Sequence, residues 1–221
     1  MKKTIILCLI TLLAGAALGW GAGHLPNTVL SRSASPALAA APAASEAAPA
    51  LDQTDNGPLL ERGQAVLEAM KAKDYAALAA LVYPEKGVRF TPYSTVDPGS
   101  DLKFTPERLA AAGEDSRVYT WGISDGKGSP LAYTIPDYFD HFVFNADYTA
   151  APLIGVDTVL ESGNALENVA DVYPEGRYVE YHFPGLAPEN QGFDWCSLKL
   201  VFEARENAWY LTGVIHSQWT I

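Results

Sequence analysis

The last stretch of the chain, Phe193 to Ile221, reads FDWCSLKLVFEARENAWYLTGVIHSQWTI. Leu198, Leu200 and Phe202 alternate with Lys199, Val201 and Glu203, and Trp209, Leu211 and Ile215 alternate with Tyr210, Thr212 and Val214. A period of two puts alternate side chains on opposite faces of a strand. The polar connection Arg205-Glu206-Asn207-Ala208 suits a hairpin, because Asn207 tolerates positive φ. A four-residue loop there pairs Phe202 with Leu211, Leu200 with Gly213 and Leu198 with Ile215. Both apolar sets then share one side, and Lys199, Glu203, Tyr210, Thr212 and His216 share the other. A slip of one residue would undo that arrangement. Gly213 leaves room for Leu200 or lets the sheet bend.

The chain before the hairpin alternates helix and strand signals. Pro58 to Lys71 repeats Leu59, Leu60, Gly63, Val66, Leu67 and Met70 on one helical face, with Asn56 or Gly57 to cap it. Asp74 caps a short second helix from Tyr75 to Val82, which Pro84 ends. A short strand, Val88 to Phe90, follows, and then a loop from Pro92 to Asp101. Thr105-Pro106-Glu107 starts a short helix. Val118 to Gly122 and Leu131 to Tyr133 flank a Gly-rich turn and read as a hairpin. Pro136 opens a helix to about Phe144. Ile154 to Leu160 and Arg177 to Phe183 read as strands. Asn164 and Glu167 form a capping box for a short helix ending at Val172.

Composition sets the address and the exclusions. Met1-Lys2-Lys3 precedes an uncharged run from Thr4 to Ala22, so residues 1–23 read as a signal peptide or N-terminal anchor. Residues 24–57, rich in Ala, Pro and Ser, read as a disordered tether, leaving 58–221 as one globular domain. Lys2 and Lys3 stay inside and the rest is exported, to the outer side of the cytoplasmic membrane or beyond. The membrane is touched only through the N-terminal segment. Cys196 is the only cysteine beyond the leader, so no intrachain disulfide forms after export, and the residue reads as a small buried hydrophobe. Setting aside Lys2, Lys3, Arg32 and Glu46, the chain carries 12 basic and 25 acidic side chains, net −13. Such a surface repels nucleic acid. No carboxylate cluster has calcium-loop spacing, and no cofactor or metal motif is present.

Two helices followed by a sheet that ends in a long antiparallel hairpin resemble the NTF2-like or cystatin-like α+β cone. The stretch ERGQAVLEAMKAKDYAALAALVYPEKGVRF and the closing WYLTGVIH carry that resemblance, over about half of the domain. It implies helices packed on a curved antiparallel sheet. PEKGVRFTPY, VYTWG, VEYHFPG and WYLTGVIHSQWTI are similar to words of a family of exported and lipoprotein-type proteins of Gram-positive bacteria. That resemblance implies export and no mechanism. The lipobox of such proteins is missing here, since Cys8 lies in the first half of the apolar run.

Several residues could carry chemistry. Glu180 and His182, two apart on one strand, share a face. With His216 on a neighbouring strand they would make a carboxylate–histidine cluster, fit for acid/base work or a metal. The competing reading is ordinary hydrogen-bonded strand residues. Arg89 could take a ligand carboxylate in the mouth of a cone, or pair with a structural carboxylate. Tyr93, Trp121 and Tyr181 belong to an aromatic set from which the wall of a ligand pocket could be drawn, with Trp121 the foremost candidate for exposure. The function that fits is an exported, tethered, non-catalytic module for a small ligand or an envelope protein. The alternative is an extracytoplasmic hydrolase using Glu180, His182 and His216.

Overall fold

Asp55 opens the first helix by accepting the Gly57 N–H at 2.9 Å. In the computed structural model, which describes residues 50–220, α1 spans Asn56–Lys71. Its buried face is Leu59, Gly63, Val66, Leu67 and Met70, as the 3.6-residue period requires. Gly63 is glycine for a local reason: a Cβ there would lie 2.3 Å from the Tyr181 hydroxyl, so α1 rests directly on the sheet. α2, Tyr75–Ala80, starts where Asp74 accepts the Ala77 N–H. Ordered contacts begin ahead of Pro58. Leu51 packs on the core, and Arg177 donates to Gln53 O and Asn56 Oδ1 at 2.8 and 2.6 Å. The leader and the tether before residue 50 lie outside the described residues.

The main sheet has six strands in the order β2-β1-β8-β7-β6-β5. These are β1 Val88–Thr91, β2 Leu102–Phe104, β5 Leu153–Val156, β6 Arg177–Phe183, β7 Cys196–Arg205 and β8 Ala208–Gln218. All neighbours are antiparallel except β1 and β8, which run parallel with Arg89 beside Gly213. A separate hairpin pairs β3, Tyr119–Ile123, with β4, Pro130–Tyr133. Between β2 and β3 lies α3, Pro106–Ala110, started by the Thr105 hydroxyl as its sequence dictates. α4, Ile135–Tyr138, continues as a π-helical turn from Phe139 to Val143. The architecture is α+β, with helices packed on one face of a sheet that ends in a long hairpin.

The hairpin differs from its expected register in one residue, and that residue decides the rest. Arg205 pairs with Ala208 across a tight turn in which Glu206 takes φ 56. Phe202 faces Leu211 as expected, but Val201 then faces Gly213, because Thr212 forms a β-bulge. From there the pattern shifts: Leu200 meets Val214 and Leu198 meets His216. Odd positions Trp209 and Leu211 face the helices before the bulge. Even positions Val214 and His216 face them after it. Strict alternation would have sent Ile215 inward. Instead Ile215 joins Val96, Val169, Tyr178 and Val201 in a second apolar cluster on the opposite face.

That opposite face is covered. The strap from Asp157 to Tyr173 and the segment from Ser94 to Asp97 lie over it, held by reciprocal bonds between Asn168 and the Val96 backbone at 2.8 and 2.9 Å. The strap contains less regular structure than its sequence suggests. β5 stops at Val156 because Asp157 takes φ 51 and its carboxylate binds Arg177 and the Tyr178 N–H. The expected capping box is spent elsewhere: Asn164 donates to Thr220 O and Glu167 binds Lys199. Only α5, Val169–Val172, remains helical. Among the described residues no helix is long and apolar enough to cross a membrane.

Candidate functional site

The bulge separates the three residues of the expected catalytic cluster. Glu180 and His182 share the strap-covered face, opposite Lys199 and Ser197 of β7. His216 lies on the helix-covered face, edge-on to Phe142 at 5.6 Å, with Nδ1 3.1 Å from Pro92 O. Ser217, not His216, completes the row beside Ser197. Burial pushes the His216 pKa down to about 4, so the ring is neutral at physiological pH.

Under the strap, the polar groups form one connected array. Glu161 Oε2 sits 3.2 Å from His182 Nε2, and His182 Nδ1 sits 2.8 Å from Ser197 Oγ. The carboxylate fixes the ring proton on Nε2, so Nδ1 accepts from the serine hydroxyl. Lys199 Nζ donates to Ser217 Oγ at 2.9 Å and to Glu167 at 3.2 Å, and lies 3.8 Å from Glu180 Oε2. Ser94 donates to Ser217 at 2.8 Å. The Leu160 N–H reaches Glu180 at 3.1 Å. Burial raises the Glu180 pKa against the pull of Lys199, and burial lowers that of His182 against Glu161. Carboxylate, imidazole and hydroxyl in a row is an arrangement that can activate a nucleophile. Here it is sealed: Ser197, Lys199, Glu180 and Ser217 are each 0% exposed. As it stands, the array ties the strap to the sheet.

The four expected ligand contacts scatter. Trp121 is 1% exposed; its ring stacks on Tyr138 at 3.7 Å and its indole N–H donates to Tyr133 O. The interior position expected to face a ligand is filled by aromatic packing. Tyr181 is buried beneath α1. Arg89 lies on the strap-covered side of β1, where its Nη1 reaches only Asp97 O, at 3.4 Å. Tyr93 alone opens onto a surface groove of about 690 Å³.

That groove joins three loops that are far apart in sequence. Pro92–Asp101 forms one wall, Gly122–Gly128 another and Asn164–Leu166 the third. Cross-loop bonds hold them: the Asp125 N–H donates to the Tyr93 hydroxyl at 3.2 Å, and Thr95 donates to Leu166 O at 2.9 Å. Its polar lining is acidic, from Asp97, Asp101 and Asp125, and its rim carries Ile123 and Leu166, 55% and 69% exposed. Exposed Ile123 is visible in the sequence as the apolar end of a strand before a Gly-rich turn. The partnership with Leu166 is not, because it depends on the strap. Among the described residues no group of three or more His, Cys, Asp or Glu side chains is placed to hold a metal ion.

No protein-family model and no curated protein matches the sequence. The backbone is similar to several solved structures. Aln2 from a Streptomyces species is 10% identical, covering 77% of this chain and 94% of that one, with a TM-score of 0.33. A cystatin-like domain of unknown function from Nostoc punctiforme is 11% identical over 76% and 78% of the two chains, at 0.36. An NTF-2 like protein of unknown function from Shewanella oneidensis is 13% identical over 72% and 96%, at 0.31. At these scores the likeness says nothing of ligand or activity.

Proposed function

We propose that this chain is an exported, tethered, non-catalytic binding module whose three-loop groove receives a small ligand or an envelope protein. The observation that carries the reading is the groove itself: three loops distant in sequence, pinned together by hydrogen bonds, around exposed Ile123 and Leu166 and an acidic lining. Preformed loops lower the ordering cost of binding. Carboxylates beside apolar side chains suit a partner that is both basic and apolar. Histidine, cysteine and lysine are absent from the lining, so the groove holds no ready general base or nucleophile apart from its carboxylates and serines. Export and tethering rest on the sequence alone: the basic start, the uncharged run to Ala22 and the Ala/Pro/Ser-rich stretch after it. The kinship with exported Gram-positive proteins rests on the quoted words alone.

A hydrolase remains the second reading, because Glu161, His182 and Ser197 stand in line. It requires the strap to lift.

The test places a photo-crosslinking residue at Leu166, and at Leu153 on the far sheet edge, in full-length protein in intact cells. An adduct or retained ligand at Leu166 that disappears in Ile123→Asp, with none at Leu153, supports the groove. Equal labelling at both positions sinks it. Fractionation of the same cells tests export: a wholly cytoplasmic protein overturns that part.

A further inference from the structure

A second small cavity, about 220 Å³, lies on the strap-covered side of β1 and β2 and gathers positive charge on an otherwise acidic protein. Arg89 and Lys103 stand directly opposite one another across these antiparallel strands. Like charges in that position repel and destabilise a sheet. Among the described residues neither is relieved by an ion pair; Arg89 reaches only the Asp97 carbonyl. Lys86 joins them at the cavity and is neutralised by Glu203, its ion-pair partner. The nearest other carboxylates are occupied. Asp97 accepts from the Gly99 N–H and the Ser100 hydroxyl, and Asp101 from the Thr91 hydroxyl and the Asp97 N–H.

Tyr173 supplies the neutral donor. Its hydroxyl lines the cavity and is buried, and nothing in the protein accepts its proton. Such a group costs free energy until an acceptor arrives. Burial pushes its pKa up to about 12, against the pull of Arg89, so it remains a donor at neutral pH. Gly213 makes its position possible, since a Cβ there would come within 2.9 Å of that oxygen. An uncompensated cation pair and a donor without an acceptor lack the same thing.

We propose that Arg89, Lys103 and Tyr173, with Lys86 at the edge, form a binding site for a dianionic oxyanion, a phosphate or phosphate monoester. Three cations against one carboxylate leave two positive charges, which a dianion balances and a monoanion does not. The guanidinium offers a planar fork to two oxygens, the ammonium a point charge and the phenol a single donor. The site stands apart from the proposed groove, sharing with it only the loop from Pro92 to Asp101. Either can therefore fail without the other.

The experiment is thermal unfolding of the full chain, titrated with sodium phosphate at neutral pH against sodium chloride of equal ionic strength and against sodium acetate. Ligand that binds only the folded state raises the midpoint saturably. Phosphate should do so, and chloride and acetate should not. Arg89→Gln and Lys103→Gln should each weaken the response by about tenfold or more, and Tyr173→Phe by several-fold. Lys127→Gln, at the tip of the small hairpin, should keep it. Without phosphate, Arg89→Gln and Lys103→Gln should melt no lower than the parent, because each removes a repulsion. Should either melt lower, phosphorus NMR line-broadening below both midpoints decides on binding directly. Glycerol phosphate separates the sources: tighter binding than inorganic phosphate marks an ester, weaker binding the free ion. A response to acetate as large as to phosphate, or one unchanged in both charge variants, overturns the proposal.

Discussion

The two faces of the main sheet are equally dry and chemically opposite. On the helix-covered face, Leu198, Leu200, Phe202 and Val214 pack against α1 and the aromatic group around Phe90, Trp121 and Tyr138. On the strap-covered face, one residue away along each strand, Glu180, Ser197, Lys199 and Ser217 are buried just as fully. The first face gains from removing apolar area from water. The second desolvates charge and recovers it through paired hydrogen bonds. Packing tolerates approximate partners, whereas a polar array with one member missing leaves the others unsatisfied. The strap, with little regular structure of its own, is therefore fixed by specific bonds.

The comparison depends on the bulge, so deleting Thr212 is the way to break it outright. Restored alternation would carry Val214 and His216 to the strap-covered face and Gly213, Ile215 and Ser217 to the other. Lys199 would lose Ser217, and the core would lose Val214. The expected outcome is a chain with no cooperative thermal transition and no near-ultraviolet circular dichroism of packed aromatics. A deletion variant that folds like the parent would show that register is set elsewhere.

Next in size is Lys199→Met. It leaves Glu180 buried without its counter-charge and Glu167 without its donor. Breaking a buried pair by removing one partner costs about 3–5 kcal/mol, read by urea unfolding. Lys199→Met with Glu180→Gln should recover a good part of that loss. If the double variant is no better than the single, the Lys199–Glu180 coupling is absent.

These residues also show how far the sequence could be read. The caps at Asp74 and Thr105, strand Arg177–Phe183 and the hairpin's turn region are legible because each depends on near neighbours. The bulge is not: nothing local in Leu211-Thr212-Gly213 requires an extra residue, and its reason is the fit of Gly213 to Tyr173 across the strap. Period-two reading treats Lys199 and Thr212 as solvent-facing, because it assumes an uncovered outer face. A covering strap of low regularity leaves no periodic trace. Glu180 and His182 are correctly placed on one face; His216 is misplaced by the bulge alone. Cys196 is buried in the core, as its neighbours suggest.

His216 tests the apolar face by pH. Its folded pKa is about 4, below the ordinary value of 6.5. Between those values the unfolded chain binds the proton and the folded chain does not, so stability falls as pH drops from 6.5 toward 4. The full effect is about 3 kcal/mol, since each unit is worth about 1.4. Glu180 acts in the opposite sense above its ordinary value of 4.5, because its folded pKa is raised. The test is therefore a difference: His216→Phe should lose most of the acid-side slope that the parent shows in urea midpoints. An identical slope in both proteins would mean that the ring is not buried neutral.

Ser197→Ala gives the smallest change and separates a structural array from a reactive one. The substitution removes the hydroxyl that donates to His182 Nδ1 and leaves that nitrogen buried without a partner. Losing one such bond costs about 1–2 kcal/mol. Because His182 also holds Glu161, the strap should loosen with it, and amide exchange should speed up at Leu160 before it does at Leu200. A bond that ties the strap predicts this local opening and no other change. A serine that served as nucleophile would instead leave stability and exchange almost untouched while abolishing turnover of an ester probe by the parent. The two roles give opposite patterns in the same variant, and the 0% exposure of Ser197 favours the first.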